Sequence, residues 1–495
     1  MARSLFSILG HRLRAEECLS RREMLKLSAA ASAGLLISAY GLARPARPSM
    51  DAPHVLIIGA GLAGLVCAYE LRAVGCRVTV FEARQRAGGR VVTHRHVAPG
   101  CRIEGGGEFI GANHPLWLHY AQRFNLEMRE VTEDEEAEVI VEINGRRLTQ
   151  ADAEDLYESL ESAVEPLNDL ARQVNLDQPW ASEHAAELDR RSIGHWIDEC
   201  DSDERTRHML HMLFAADNGM ATSQQSLLGF LAMVGGGGYE AYWTESETYR
   251  CDSGNAMLAR MLVNAIGIEH VRQGHPVMHV AVVEDGVVVT TEQEQSFEGD
   301  EVVLATPPST WRNIRIDPGL PEALDSIQMG RNIKQIMPIK ERSWQAGGVS
   351  QYVITDSEVQ LVWDPTDGQD LDHAAALTIF AGADAADRWS AMPADERERH
   401  AMRRLEGFFP GVEQSRLGQA MFMDWTNDPR SLGSYSFPAP GQLTRCGALL
   451  RDGLERLHFA GEHVSVRYPG YMEGALESGA MVARRIATRA GLAPG

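Results

Sequence analysis

The sequence predicts an α/β fold built on a parallel sheet with a phosphate-binding turn, joined to a second, discontinuous domain of sheet and helices. Three observations carry this. The apolar, β-branched run at residues 55–58 passes directly into Gly59-Ala60-Gly61-Leu62-Ala63-Gly64. Residues 62–74 then place apolar side chains at helical spacing, Gly75 ends that pattern, and a second apolar run at 77–81 closes on Glu82. The chain has 495 residues, more than one ordinary core organises, so two domains are expected.

Strand, glycine turn, helix and strand in that order form a βαβ unit of the Rossmann-like, dinucleotide-binding kind. Gly59 permits the tight turn, Gly61 lets backbone approach a pyrophosphate, and Gly64 lets the helix pack closely on the strand. The helix N-terminus offers free N–H groups and a positive dipole end to phosphate. The Glu82 carboxylate, 23 residues after Gly59, is placed to accept from ribose hydroxyls. A glycine turn alone is a weak signal; here all five parts occur in order.

The next residues narrow the cofactor. Glu82-Ala83-Arg84-Gln85-Arg86-Ala87-Gly88-Gly89-Arg90 resembles the signature of the flavin amine oxidase family, which includes monoamine, polyamine and L-amino-acid oxidases and bacterial nicotine oxidoreductases. The resemblance runs from residue 53 to about 488. It implies an FAD-binding domain from 53–116, 250–312 and 425–490, and a mixed sheet-and-helix substrate domain of amine oxidase type from 117–249 and 313–424. It also places Arg84, Gly89 and Arg90 at the FAD pyrophosphate, where two guanidinium groups would neutralise a diphosphate.

Later segments extend the resemblance. Residues 103–111 are glycine-dense, and Gly106, Gly107, Glu108 and Phe109 match the stretch that passes the isoalloxazine ring, Phe109 also facing the substrate cavity. Ala112-Asn113-His114-Pro115 follows, where snake-type L-amino-acid oxidases carry a carboxylate-binding arginine, which counts against an α-amino acid substrate. Residues 115–124 read as a helix, 133–138 as a solvated acidic run, and 150–234 as packed helices. Residues 239–249 either reach the substrate, as in the nicotine oxidoreductases, or form a surface hairpin. A helix is expected at 257–265, strands at 276–289 with the Val277 backbone pairing the adenine, a buried strand at 301–304 and a long helix near 395–408.

Lys334 matches the lysine that holds a water against flavin N5; it is expected to be partly desolvated, with Lys340 the solvated one. Trp425 lies in a second signature, residues 424–435, in which monoamine oxidases tether the flavin through a cysteine. Ser434 stands at that place, implying noncovalent FAD. Gly461 and Glu462 match the F-A-G-E motif at the ribityl and pyrophosphate region, and Met472 opens the last helix, whose N-terminus would face the flavin. Tyr435 and Tyr471 match the aromatic pair that faces the substrate amine, and with Lys334 they are the expected catalytic residues. The reaction implied is hydride transfer from the carbon of a primary or secondary amine to flavin N5, then imine hydrolysis and reoxidation by O2 or a periplasmic acceptor. L-amino-acid oxidation, a desaturase or isomerase, and a noncatalytic flavin-binding protein are the alternatives.

Composition limits the partners. A formal net charge of −22 disfavours nucleic acid and anionic membranes. Seven cysteines contain no CxxC pair, so no metal centre is expected. Ser20-Arg21-Arg22-Glu23-Met24-Leu25-Lys26 resembles a twin-arginine export pattern, and the mildly apolar stretch 27–42 leads to a cleavage-like site near Ala43. Residues 1–43 thus read as a signal peptide that directs a folded, FAD-loaded protein to the periplasm or outside, with no stable membrane anchor. A homodimer is compatible.

Overall fold

A computed structural model describes residues 52–132, 137–369, 371 and 373–493. The export segment with Arg21 and Arg22, and most of the acidic run at 133–138, lie outside the described residues. The first sheet is entirely parallel, in the order Leu457–Phe459, Glu301–Leu304, His54–Ile58, Arg77–Glu82 and Val271–Gln273. Its central strand is apolar and buried at residues 55–58 because both faces are covered. One face packs on the helices Leu62–Ala73 and Met472–Arg489, the other on a four-stranded sheet through Leu56, Ile58, Phe81, Val280 and Val289.

Glycine sets how close these layers come. A Cβ on Gly64 would lie 2.1 Å from Gly59 O, and one on Gly479 would lie 2.3 Å from Ala63 O. The first contact draws the helix onto the glycine turn, and the second lets the final helix touch it. Ile57 and Ala305 side chains close the space beneath Gly64.

The second large sheet has seven strands and is mixed. Its order is Met421–Asp424, Asn332–Ile339, Ala375–Gly382, Leu361–Trp363, Val349–Thr355, Glu138–Ile143 and Arg146–Arg147. Strand alternation puts Ile333, Met337 and Ile339 into a core beneath the helices Ala383–Ala391 and Ala394–Phe408. Lys334 pairs in register with Phe380 on one side and Met423 on the other. The helical segment from Gln150 to Gly236 packs on the other part of this sheet through Tyr352, Leu361 and Trp363.

The surface-hairpin reading of 239–249 is overturned. The segment is a short helix, Glu240–Glu245, leading into the strand Tyr249–Cys251, which pairs with Met128–Glu130. Trp243 packs against Phe214 and Phe230, so burial of a large aromatic ring holds the helix inward. Among the described residues, no helix is long and apolar enough to cross a membrane.

Candidate active site

An elongated cavity of about 740 Å³ runs from the glycine turn to the strand carrying Lys334. Gly59, Gly61, Glu82, Arg84, Gly89 and Arg90 line one part, and Val277 lines the wall nearby. Gly106, Gly107, Lys334, Trp425, Tyr435, Gly461, Glu462, Tyr471 and Met472 also line it. Three expected residues do not reach it. Gly64 lies under the turn as a packing contact. Glu108 turns away into a buried charge cluster, and Phe109 packs against Trp363 beneath Arg250.

The walls fit a dinucleotide. A Cβ built on Gly61 meets nothing within 4 Å, so this position opens onto the cavity. The helix beginning at Leu62 has no side-chain cap and no acid in its first turn, leaving its N–H groups for an anion. Glu82 is fixed by two backbone donors: Ala60 N–H reaches Oε2 at 2.9 Å and Arg84 N–H reaches Oε1 at 2.8 Å. The two arginines of the signature are each ion-paired across the site. Arg84 Nη2 pairs with Asp428 at 2.5 Å, and Arg90 Nη1 with Glu462 at 2.8 Å. Glu462 also accepts from Ser436 Oγ and Gly470 N–H. Burial pushes its carboxyl up, but Arg90 and His463 outweigh this and hold it below the ordinary range.

Lys334 is also not solitary. Its Nζ donates to Glu108 Oε2 at 2.7 Å, Gly106 O at 2.9 Å and Glu104 O at 3.2 Å. An ammonium group has three donors, so holding a water would require releasing one bond, and that to Glu104 O is the longest. Glu108 Oε1 accepts from Arg250 Nε at 3.0 Å and Trp363 Nε1 at 2.9 Å. Burial raises the Glu108 pKa, and Lys334 and Arg250 more than reverse it. Glu104, buried nearby, is pushed up to about 7 by burial.

The tyrosine pair is held from outside the cavity. Tyr435 OH donates to the Asp217 carbonyl. Tyr471 caps the final helix, and its ring meets His114 edge-on at 5.1 Å. His114 accepts from Gly111 N–H at 2.8 Å, and burial lowers its pKa to about 3, so it is a neutral packing partner. Burial raises both tyrosine hydroxyls well above their ordinary range, keeping them as neutral phenols. Ser434, on the same wall, donates to Asn332 Oδ1 at 2.6 Å. Behind Tyr471 lies a second, small cavity lined by Asp217, Asn218, Tyr242, Glu247 and aromatic rings. Sequence reasoning absorbed Asp217 into a packed helix. The signal for it was a pair of polar residues, Asp217-Asn218, directly after the apolar run at 212–216 and just before Gly219.

A family model described as flavin containing amine oxidoreductase matches residues 62–487. The chain belongs to this family. As a flavin amine oxidoreductase, it is similar to a probable flavin-containing monoamine oxidase A of Dictyostelium discoideum, 26% identical over 450 residues that cover 87% of this chain and 97% of the relative. Nicotine dehydrogenase of Pseudomonas putida is 27% identical over 440 residues, covering 87% of this chain and 88% of the relative. Among solved structures, cyclohexylamine oxidase from Brevibacterium oxydans superposes with a TM-score of 0.80 at 28% identity, covering 88% of this chain and 99% of the other. Wild-type putrescine oxidase bound to putrescine gives 0.80 at 26% identity with the same coverage. FAD is the amine oxidoreductase's cofactor, and the uncapped helix at Leu62, Glu82 and the paired Arg84 and Arg90 would hold it. The enzyme oxidises amines.

Proposed function

We propose that this enzyme oxidises primary or secondary amines in preference to α-amino acids, with the reacting nitrogen aligned between Tyr435 and Tyr471. The observation that carries this is the shared wall: both tyrosines line the cavity with Lys334 and Ser434. Two neutral phenol rings can orient a lone-pair amine and exclude water from it. Bound FAD supplies the electron acceptor for the oxidation. The pocket behind Tyr471 carries two acids and, among its described lining residues, no lysine or arginine, which opposes a substrate carboxylate. The test is anaerobic mixing of purified enzyme with amines and amino acids while flavin absorbance is followed. Alkyl or aryl amines are expected to bleach the flavin fastest, and Tyr435→Ala and Tyr471→Ala each to slow it about tenfold or more. An α-amino acid reducing it fastest would overturn this preference.

FAD is held without a covalent tether in this reading, since Ser434 stands where a tethering cysteine would be. Its hydroxyl is committed to Asn332. Denaturation in acid should release all flavin into the supernatant; flavin that stays with the precipitate would refute this. Reoxidation by O2 is the acceptor reading that fits the family.

Export by the twin-arginine route rests on Arg21 and Arg22 in the sequence. Replacing both with lysine should retain activity in the cytoplasm. Unchanged periplasmic activity would sink that reading.

A further inference from the structure

The cavity wall that carries Gly106 and Gly107 hangs on a second buried acid. Glu104, like Glu108, is buried. Glu108 is answered by Lys334, Arg250 and Trp363. Glu104 has no ion pair among the described residues. Its carboxylate accepts from the Asn255 backbone N–H at 2.9 Å and from Thr93 Oγ1 at 2.9 and 3.1 Å. Two donors are few for a carboxylate, which offers about four acceptor sites. These contacts fasten three segments together. Thr93 pairs in register with Glu104, and its oxygen accepts from Ala256 N–H at 3.1 Å. Asn255 and Ala256 begin the helix Ala256–Ile266, which has no acid in its own first turn. Glu104 supplies the negative charge that this helix end favours.

Asn255 passes the constraint to the wall. Its buried Nδ2 donates to Gly107 O at 3.0 Å and to Glu108 O at 2.7 Å. The Glu104 carbonyl accepts from Lys334 Nζ. One residue thus anchors the stretch to the helix through its side chain and holds the lysine through its backbone. Its charge is also the adjustable one. Burial pushes the Glu104 carboxyl up to about 7, against the Asn255 and Thr93 donors, and Lys334 and Glu108 act on it electrostatically. The groups around it are fixed. Burial keeps Cys251 and His94 neutral near pH 7. Arg250 is paired with Glu108, and Asp252 with Arg102 and Arg129.

We propose that Glu104 is a positioning residue for Lys334 and the glycine stretch beside it, and that its ionised form holds Lys334 as the ammonium that speeds reoxidation. This rests on Lys334 serving reoxidation and adds what controls it. Ionised Glu104 places negative charge beside Lys334 and favours its protonated form, which neutral Glu104 does not. Two electrons and two protons pass from the reduced cofactor to O2, giving oxidised cofactor and H2O2. Glu104 makes and breaks no bond in that step and acts only through Lys334 and the backbone that holds it.

The experiment mixes light-reduced, FAD-loaded enzyme with oxygenated buffer in a stopped-flow across the neutral pH range, so that no amine is needed. Wild type should speed up at least about threefold through a midpoint near pH 7. Glu104→Gln should stay flat at the low-pH rate. A flat wild-type profile would overturn the proposal, and so would a transition of the same size in Glu104→Gln, which would belong to another group. Urea midpoints give a readout apart from activity. A carboxyl raised above its ordinary 4.5 lends stability that is present at low pH and lost as pH rises through about 7. The wild-type midpoint should therefore fall relative to that of Glu104→Gln across this window. A constant difference would overturn the role of Glu104 and leave that of Lys334 standing, whereas wild-type reoxidation in Lys334→Met would end both. Should Glu104→Gln not fold, Thr93→Val decides. Without the donated hydroxyl the ionised form is disfavoured, so the reoxidation midpoint should move up by about half a pH unit or more. An unmoved midpoint would overturn the proposal.

Discussion

Glu108→Ala is expected to cost about 3–5 kcal/mol of folding stability, the range for removing one partner from a buried ion pair. The Glu108 side chain is fully buried, and its two oxygens answer Lys334, Arg250 and Trp363. Without them, Lys334 keeps only two backbone carbonyls, and Arg250 keeps an Asp367 carboxylate at 3.7 Å and the Asp364 carbonyl. Glu108→Gln preserves volume and part of the hydrogen bonding, so it should cost less. Urea unfolding of all three proteins gives the comparison. Acid adds a second signature. Because the folded carboxyl is held below its ordinary value of 4.5, its contribution is complete above about that pH and is lost as pH falls through the lowered folded value. The Glu108→Ala protein should therefore lose less stability between pH 5 and pH 3 than wild type. A wild-type urea midpoint in Glu108→Ala would mean that water from the adjacent cavity solvates Lys334 and Arg250 well enough to replace the carboxylate.

The parts of this site that were legible in the sequence are those whose chemistry is local. Gly59, Gly61 and Gly64 act through the backbone of one turn, and Glu82 reaches Ala60 and Arg84 within the same βαβ unit. Their spacing therefore carries their geometry. Glu108 was placed at the cofactor because its neighbours Gly106 and Gly107 are there, and those glycines do line the cavity. Its side chain points elsewhere, toward partners 142, 226 and 255 residues away in sequence. No local pattern announces Arg250, Lys334 and Trp363 as one cluster. The same holds for Asp217. Helical periodicity assigned its segment to a packed core, which is right for Leu213 and Phe214. It could not show that the helix ends against Tyr435 and Tyr471, brought from more than 200 residues later. Arg84 and Arg90 line the cavity, but their pairing with Asp428 and Glu462 joins distant segments and was invisible.

Lys334→Met and Lys334→Arg should both keep FAD yet slow reoxidation of the reduced enzyme at least about tenfold, roughly 1.4 kcal/mol of barrier. Methionine removes the charge and all three donors from the cavity wall, leaving Glu108 to Arg250 and Trp363. Arginine keeps the charge but spreads it over a planar fork. That fork is poorly matched to three acceptors gathered around one compact Nζ beside Gly106. The two variants thus separate charge from shape. If a fixed positive charge at the wall were all that is required, Lys334→Arg would reoxidise at nearly the wild-type rate while Lys334→Met would not. If the compact ammonium and its exchangeable bond to Glu104 O are required, both slow, and this is the expected outcome. Lys340 is exposed just past the end of the same strand, so Lys340→Arg should behave as wild type and controls for the loss of a lysine anywhere. Stopped-flow mixing of reduced protein with oxygenated buffer gives the rates, and the flavin-to-protein absorbance ratio verifies loading. Wild-type reoxidation in both Lys334 variants would show that this ion pair serves the fold alone, and the urea midpoints used for Glu108 would then account for its whole contribution.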